Sequence, residues 1–233
     1  MRNQWVSRVS ALALAVAVVV LAALWASRSQ ASSMDQAKVS EGAVSAGSQS
    51  LVLGGGCFWC IEALFEDLKG VLNVESGYAG GDRPGVTYEQ VCSGKTGHAE
   101  VIRVTFDPKL ISAADLLRLF FVAHDPTTLN RQGPDVGTQY RSVIFYANES
   151  ERRLAEEIKA EMEAQKVWPR PIVTTIEPLR NYTRAEEYHQ DYFAKFEAAG
   201  PAQKLGMNAG YCTAIIEPKV REFRAKFRDR LKR

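Results

Sequence analysis

Two cysteines three residues apart, Cys57 and Cys60, stand in Gly56-Cys57-Phe58-Trp59-Cys60, directly after Gly54 and Gly55 and at the start of a helical apolar pattern. A thiol at a helix opening meets free N–H groups and partial positive charge, which favour thiolate at Cys57. The glycines let the turn form and leave the sulfur accessible. Cys60 lies about one helical turn on, within disulfide reach. A structural cysteine pair or half of a zinc site would also need two close cysteines. However, there is no second C-x-x-C, and His98, His124 and His189 are scattered without ligand spacing, so no metal is expected. Redox chemistry remains, in two forms. One is disulfide exchange. The other is attack of Cys57 on an oxidised sulfur, a methionine sulfoxide. That reaction needs an acid at the sulfoxide oxygen and an apolar, preferably aromatic, pocket for the methyl group. It also needs a second cysteine and an external reductant to recycle the sulfenic acid. Phe58 and Trp59 put aromatic surface beside the sulfur.

The elements that must hold these residues are legible from periodicity. Leu51, Val52 and Leu53 mark a short strand, and Ile61, Leu64, Phe65 and Leu68 mark the helix that opens near Cys57. Residues 71–78 are rich in strand formers, as are 101–106 and 142–146. Ser112 with Asp115 begins a helix carrying Leu116, Leu119 and Phe120. Asn148 with Glu151 begins a longer one striped by Leu154, Ile158 and Met162. A further strand is expected at 172–176, then a loop-rich stretch with short helices to Tyr211. The basic segment 217–233, with Val220, Phe223, Phe227 and Leu231 three or four apart, reads as a helix packed on the domain; contact with an anionic membrane is the alternative. Helices alternating with few strands indicate an α/β or α+β domain.

The chain has 233 residues, 46% hydrophobic and 24% charged, with a formal charge of +2. That balance points to no bulk electrostatic partner and to no nucleic acid. Arg2 and Arg8 precede an apolar run from Val9 to Ala26, and Ser29-Gln30-Ala31 offers a small-x-small cleavage site. Residues 1–31 are therefore expected to be a signal peptide or a retained N-terminal membrane anchor, the run being just long enough to span a bilayer. Residues 32–50 read as a flexible linker and 51–233 as the catalytic domain. The domain is expected to be exported, either periplasmic or held on the outer face of the inner membrane. Cleavage after Ala31 removes Arg2, Arg8 and Arg28 from the 29 basic residues and none of the 27 acids, leaving a charge of −1.

Gly56-Cys57-Phe58-Trp59 resembles the signature of peptide methionine sulfoxide reductases of the A type. So do Gly77-Tyr78-Ala79-Gly80-Gly81, Pro84-Gly85-Val86-Thr87-Tyr88, Val91-Cys92-Ser93-Gly94 with Gly97-His98-Ala99-Glu100, His124-Asp125-Pro126, the run from Arg131 to Ser142, and Ala185-Glu186-Glu187-Tyr188-His189-Gln190. The blocks fall in the family's order across nearly the whole expected domain. The resemblance implies a two-layer, ferredoxin-like α/β sandwich with a loop-rich C-terminal region. It implies reduction of methionine S-sulfoxide, free or within proteins, as repair of oxidative damage, with no bound cofactor and a thioredoxin-like dithiol reductant. It makes Cys57 the nucleophile and Glu100 the proton donor. Tyr88 and Tyr140 then hydrogen-bond the sulfoxide oxygen, Phe58 and Trp59 hold the methyl group, and Asp135 orders the site.

Taken singly, each of these residues has an ordinary reading: Glu100 a strand-edge carboxylate, Asp135 a turn residue, Tyr88 and Tyr140 half-buried tyrosines, His189 a satisfied structural histidine. In one respect the chain departs from the commonest family version, which has glycine where Cys60 stands and resolves through a cysteine near the C-terminus. Gly210-Tyr211-Cys212 resembles that arrangement, so Cys212 is a possible second resolving residue beside the favoured Cys60, while Cys92 is expected to be a spectator. An exported domain is out of reach of cytosolic thioredoxin, so a membrane relay or an envelope thioredoxin-like partner is implied. The competing readings are an envelope thiol–disulfide oxidoreductase and a sulfoxide- or metal-binding sensor.

Overall fold

The computed structural model of the chain describes residues 47–232, and the expected leader and most of the expected linker lie outside the described residues. The first strand, β1 (Gln49–Gly55), starts two residues before the expected boundary. Gln49 and Ser50 are exposed, but their backbones pair with Phe106 and Thr105, and ladder bonds require no apolar side chain. After it come α1 (Phe58–Glu66), β2 (Val71–Ala79), α2 (Tyr88–Cys92), β3 (Ala99–Phe106), α3 (Ala113–Ala123) and β6 (Ser142–Tyr146), with a small hairpin, β4 (Arg131–Gln132) and β5 (Asp135–Val136), ahead of the last.

Strands β6, β1, β3 and β2 lie side by side in that order, with every neighbouring pair antiparallel. With α1 following β1 and α3 following β3, this is the β-α-β-β-α-β arrangement of a ferredoxin-like layer. The period-2 alternation of each strand divides its side chains between two faces. Leu51, Leu53, Ile102, Val104, Phe106 and Ile144 join the main core with α1 and α3, whereas Val52, Val101, Val143 and Phe145 form a smaller cluster on the opposite face, covered by Leu179 and Tyr182. The guanidinium of Arg103 lies 3.5 Å from the Tyr182 ring centre on that side.

The long helix α4 (Glu149–Ala164) begins at the expected Asn148, whose side chain accepts from the Glu151 N–H, and Ser112 caps α3 by accepting from Asp115 N–H. Two expectations shift. The strand foreseen at 172–176 is β7 (Thr175–Pro178), parallel to β6. Val173 N–H is taken by the Pro126 carbonyl, so ladder pairing begins only at Thr175. The sheet's other edge is β8 (Thr183–Arg184) on β2. After it come α5 (Tyr192–Ala198), α6 (Pro201–Lys204), α7 (Ala209–Tyr211) and a π-helical turn, Cys212–Ile216, that leads into α8 (Glu217–Lys226). The helix foreseen over 217–233 thus stops at Lys226. Beyond a 3₁₀ turn at Arg228–Arg230 the tail pairs Leu231 with Leu68, and Lys232 N–H reaches the Asp67 carbonyl, so it satisfies backbone groups beyond the end of α1.

Candidate active site

Strand β1 ends in the glycines, and the chain turns at Gly56, where φ is +99°. A Cβ there would stand 2.5 Å from Gln132 Cγ, so a side chain is excluded by conformation and by space. The turn delivers Cys57 to the residue preceding α1, where its carbonyl accepts from Cys60 N–H at 3.1 Å. Strand β3 supplies the facing group. Glu100 has the same parity as Ile102, Val104 and Phe106, so it points to the helix face of the sheet, and its Oε2 accepts from Phe58 N–H at 3.0 Å. Thr87 caps α2 in a two-way box with Gln90, which places Tyr88 at its start. The β4–β5 hairpin and the turn after it bring Asp135 and Tyr140 across.

One cavity of about 140 Å³ is lined by Cys57, Phe58, Trp59, Tyr88, Glu100, Asp135, Tyr140, Asn208 and Tyr211. The nucleophile, acid, tyrosines, aromatic pair and aspartate foreseen from sequence therefore share a single hollow. Asn208 and the ring of Tyr211 were not foreseen as its walls. Tyr211 donates its hydroxyl to Asp135 Oδ2 at 2.6 Å and sits 3.8 Å from Cys60 Sγ, joining the aspartate to the second cysteine.

Electrostatics correct one expectation. The helix opening was to leave Cys57 ionised, but the residue is only 8% exposed and burial raises its thiol well above the usual range, with Cys60 and the nearby Glu100 adding to the effect. Desolvation outweighs the helix end here. Cys60 moves the other way, to about 7, chiefly because the Cys57 thiol hydrogen-bonds its sulfur, with Lys219 assisting. Glu100, 2% exposed, is pushed up to about 8 by burial first and by Asp135 and Cys60 next, against the pull of the Phe58 N–H. It is therefore a protonated acid at neutral pH, the state a proton donor needs. Burial also raises Tyr88 and Tyr140, keeping both phenols as hydrogen-bond donors.

His189, whose role was open from sequence, lies behind the pocket. Its Nδ1 accepts from Trp59 Nε1–H at 3.1 Å, and burial lowers it to about 4, so the neutral ring orients the indole and is no general base. His124 is likewise neutral, lowered by burial to about 4. Its Nδ1–H donates to the Phe120 carbonyl and its Nε2 accepts from Ser142 Oγ–H, a structural pin under the glycine turn. Among the described residues no group of three or more His, Cys, Asp or Glu is placed to hold a metal ion. Cys212 is 0% exposed in the π-helical turn, and burial lifts its thiol to about 11. Cys92 is exposed at the end of α2, beside the Tyr88 hydroxyl.

The sequence profile of the peptide methionine sulfoxide reductase family matches residues 49–231. The peptide methionine sulfoxide reductase MsrA of Polynucleobacter asymbioticus is 51% identical over 177 residues, 76% of this chain and 88% of that protein. The MsrA of Deinococcus radiodurans is 48% identical over 202 residues, covering 86% and 93%. Among solved structures, Mxr1 of Saccharomyces cerevisiae in its reduced form superposes with a TM-score of 0.62 at 38% identity, over 67% of this chain and 90% of that one. Methionine sulfoxide reductase A of Corynebacterium diphtheriae gives 0.57 at 35% identity, over 66% and 77%. With relatives this similar over most of its length, the chain belongs to the peptide methionine sulfoxide reductase family.

Proposed function

We propose that the chain reduces methionine S-sulfoxide, free or in proteins, with Cys57 as nucleophile, Glu100 as acid and Cys60 as resolving thiol. The observation that carries this reading is the one hollow lined together by a thiol, a protonated carboxyl, two phenols and an aromatic pair. Cys57, on losing its proton, attacks the sulfoxide sulfur while Glu100 supplies a proton to the oxygen; Tyr88 and Tyr140 hold that oxygen. The protonated oxygen then passes from the methionine sulfur to the Cys57 sulfur as the transient bond between the two sulfurs breaks. Methionine leaves, Cys57 carries the oxygen as a sulfenic acid, and the proton that Cys57 gave up replaces the one Glu100 supplied. The Cys60 sulfur then displaces that oxygen as water and forms the Cys57–Cys60 disulfide. An external thioredoxin-like dithiol returns both to thiols by exchange, becoming a disulfide itself. Cys60 is favoured over Cys212 because it lies in the first turn of α1, three residues from Cys57, whereas Cys212 is sealed in the core.

The leader-like sequence of residues 1–31 supports export, with the domain periplasmic or tethered to the outer face of the inner membrane and repairing exported proteins. An envelope dithiol partner follows from that location.

The test is a rapid-quench assay with methionine S-sulfoxide and a disulfide substrate run side by side. Turnover of the sulfoxide, abolished in Cys57→Ser, is expected. Cys60→Ser should release about one methionine per chain and stop, since the sulfenic acid then has no partner. Catalysis of the disulfide substrate alone would establish a thiol–disulfide oxidoreductase instead, and continued recycling in Cys60→Ser would pass the resolving role to Cys212.

A further inference from the structure

Glu62 carries an ionisable carboxyl, yet it sits in the core at 1% exposure, three residues after Trp59 on α1, and takes no part in the chemistry above. Burying a carboxylate costs several kcal/mol unless its oxygens are satisfied. Here they are, by groups from two other segments. Ser76 Oγ–H on β2 donates to Oε1 at 2.9 Å, and Tyr192 N–H at the start of α5 donates to Oε2 at 3.2 Å. The residue before α5, Asp191, has φ +49° and offers no side-chain cap of its own, so the Glu62 carboxylate takes the place of one. Gln190 ties the same turn to β2, accepting from Ser76 N–H and donating to the Ser76 carbonyl, both at 2.9 Å.

What the carboxylate holds is Tyr192, whose ring lies flat on the Trp59 indole with centres 3.7 Å apart and planes 6° apart. The Tyr192 hydroxyl accepts from Asn208 N–H at 2.8 Å, and Asn208 in turn accepts from Tyr211 N–H with its side chain. Trp59, Asn208 and Tyr211 are all cavity walls. Building on the proposed sulfoxide chemistry, we infer that Glu62 is a positioning residue for the methyl pocket, fixing the Tyr192 backbone so that its ring presses Trp59 into place and its hydroxyl sets the Asn208–Tyr211 wall. A purely apolar residue at 62 would fill the space but release the turn. Because each oxygen accepts in these two contacts, and because the Ser76 hydroxyl can turn to accept from an amide, glutamine preserves the tie and alanine loses it.

The experiment measures steady-state kinetics of the full chain with methionine S-sulfoxide for wild type, Glu62→Ala, Glu62→Gln and Tyr192→Leu, together with Trp59 emission taken as the difference from Trp59→Phe. Glu62→Ala is expected to raise KM by about tenfold, the scale of a misfitted apolar pocket, with a smaller change in kcat and a shifted Trp59 emission. Glu62→Gln should restore both. The penalties of Glu62→Ala and Tyr192→Leu should fail to add in the double variant, since both act through one ring. A folded Glu62→Ala protein with wild-type KM and emission overturns the inference, as do fully additive penalties. Absence of sulfoxide turnover in the wild type would overturn the proposed function instead, and the two failures are told apart by that control. Should Glu62→Ala not fold, Glu62→Gln carries the test: a KM raised as far as in Tyr192→Leu would show that the tie does not work as described.

Discussion

At the scale of single residues, burial decides what Glu100 can do. Glu100, itself buried at the base of the cavity, holds its proton up to about pH 8. Asp135 instead accepts the Tyr211 hydroxyl. The protonated form of Glu100 is the useful one, so its contribution is present below about pH 8 and is lost as pH rises through that value. Cys57 must lose its proton to attack, and its raised thiol pulls the profile the other way. We expect the single-turnover rate to climb with pH up to the Glu100 value near 8 and then to level into a flat alkaline limb, where loss of the Glu100 proton cancels the gain in Cys57 thiolate. Glu100→Gln should run on the order of a hundredfold to a thousandfold slower and lack that limb, as befits a lost general acid. Rapid-quench rates from pH 6 to 10 in both proteins check this, and persistence of the limb in Glu100→Gln would assign it to another group.

At the scale of elements, the strand–turn–helix junction is the part that sequence described best. The glycine run, the apolar triplet before it and the helical spacing after it place β1, the turn and α1 with little room for error. Glu100 could be read as a site residue only through family resemblance, because its inward aim depends on the register of β3 against β1 and β2, which one strand's pattern does not carry. The same limit hid Asn208 and the pocket role of Tyr211, which reach the cavity through a loop-rich stretch without periodicity. Glu62 shows another: a carboxylate on an otherwise apolar helix gives no local sign of its partners 14 and 130 residues away. The turn itself is testable. Gly56→Ala would place a Cβ 2.5 Å from Gln132 Cγ at φ +99°. Gln132 cannot yield freely, since its amide both donates to and accepts from the Asp125 backbone. We expect a loss of about 1–3 kcal/mol of stability, read by denaturant titration, together with slower attack by a displaced Cys57. A Gly56→Ala protein as stable and as fast as wild type would mean that the hairpin moves aside at no cost.

Across the whole molecule, buried ionisable groups set how stability responds to pH. Glu62 is raised to about 7, and Glu66 and Glu100 to about 8, with burial the leading cause in each. A carboxyl raised on folding keeps its proton in the native state when the unfolded chain has lost it, so stability falls as pH climbs from the ordinary carboxylate range to the raised value. His124 and His189, lowered to about 4, act oppositely and cost stability as pH drops below about 6.5. Cys60, lowered to about 7, favours the native state at higher pH, but it is one group against three. The melting temperature should therefore be higher at pH 6.5 than at pH 8.5. A rising Tm over that interval would show that the three carboxyls are solvated in the folded protein.

The sheltered sulfur at the end of β1 has a consequence for where such a protein can work. Peroxide reacts with thiolates far faster than with thiols, and with open sites faster than with closed ones. A nucleophile that rests protonated and nearly out of solvent is a poor target for the same oxidants that damage its substrates, so the repair tool does not rust in the weather that creates its work.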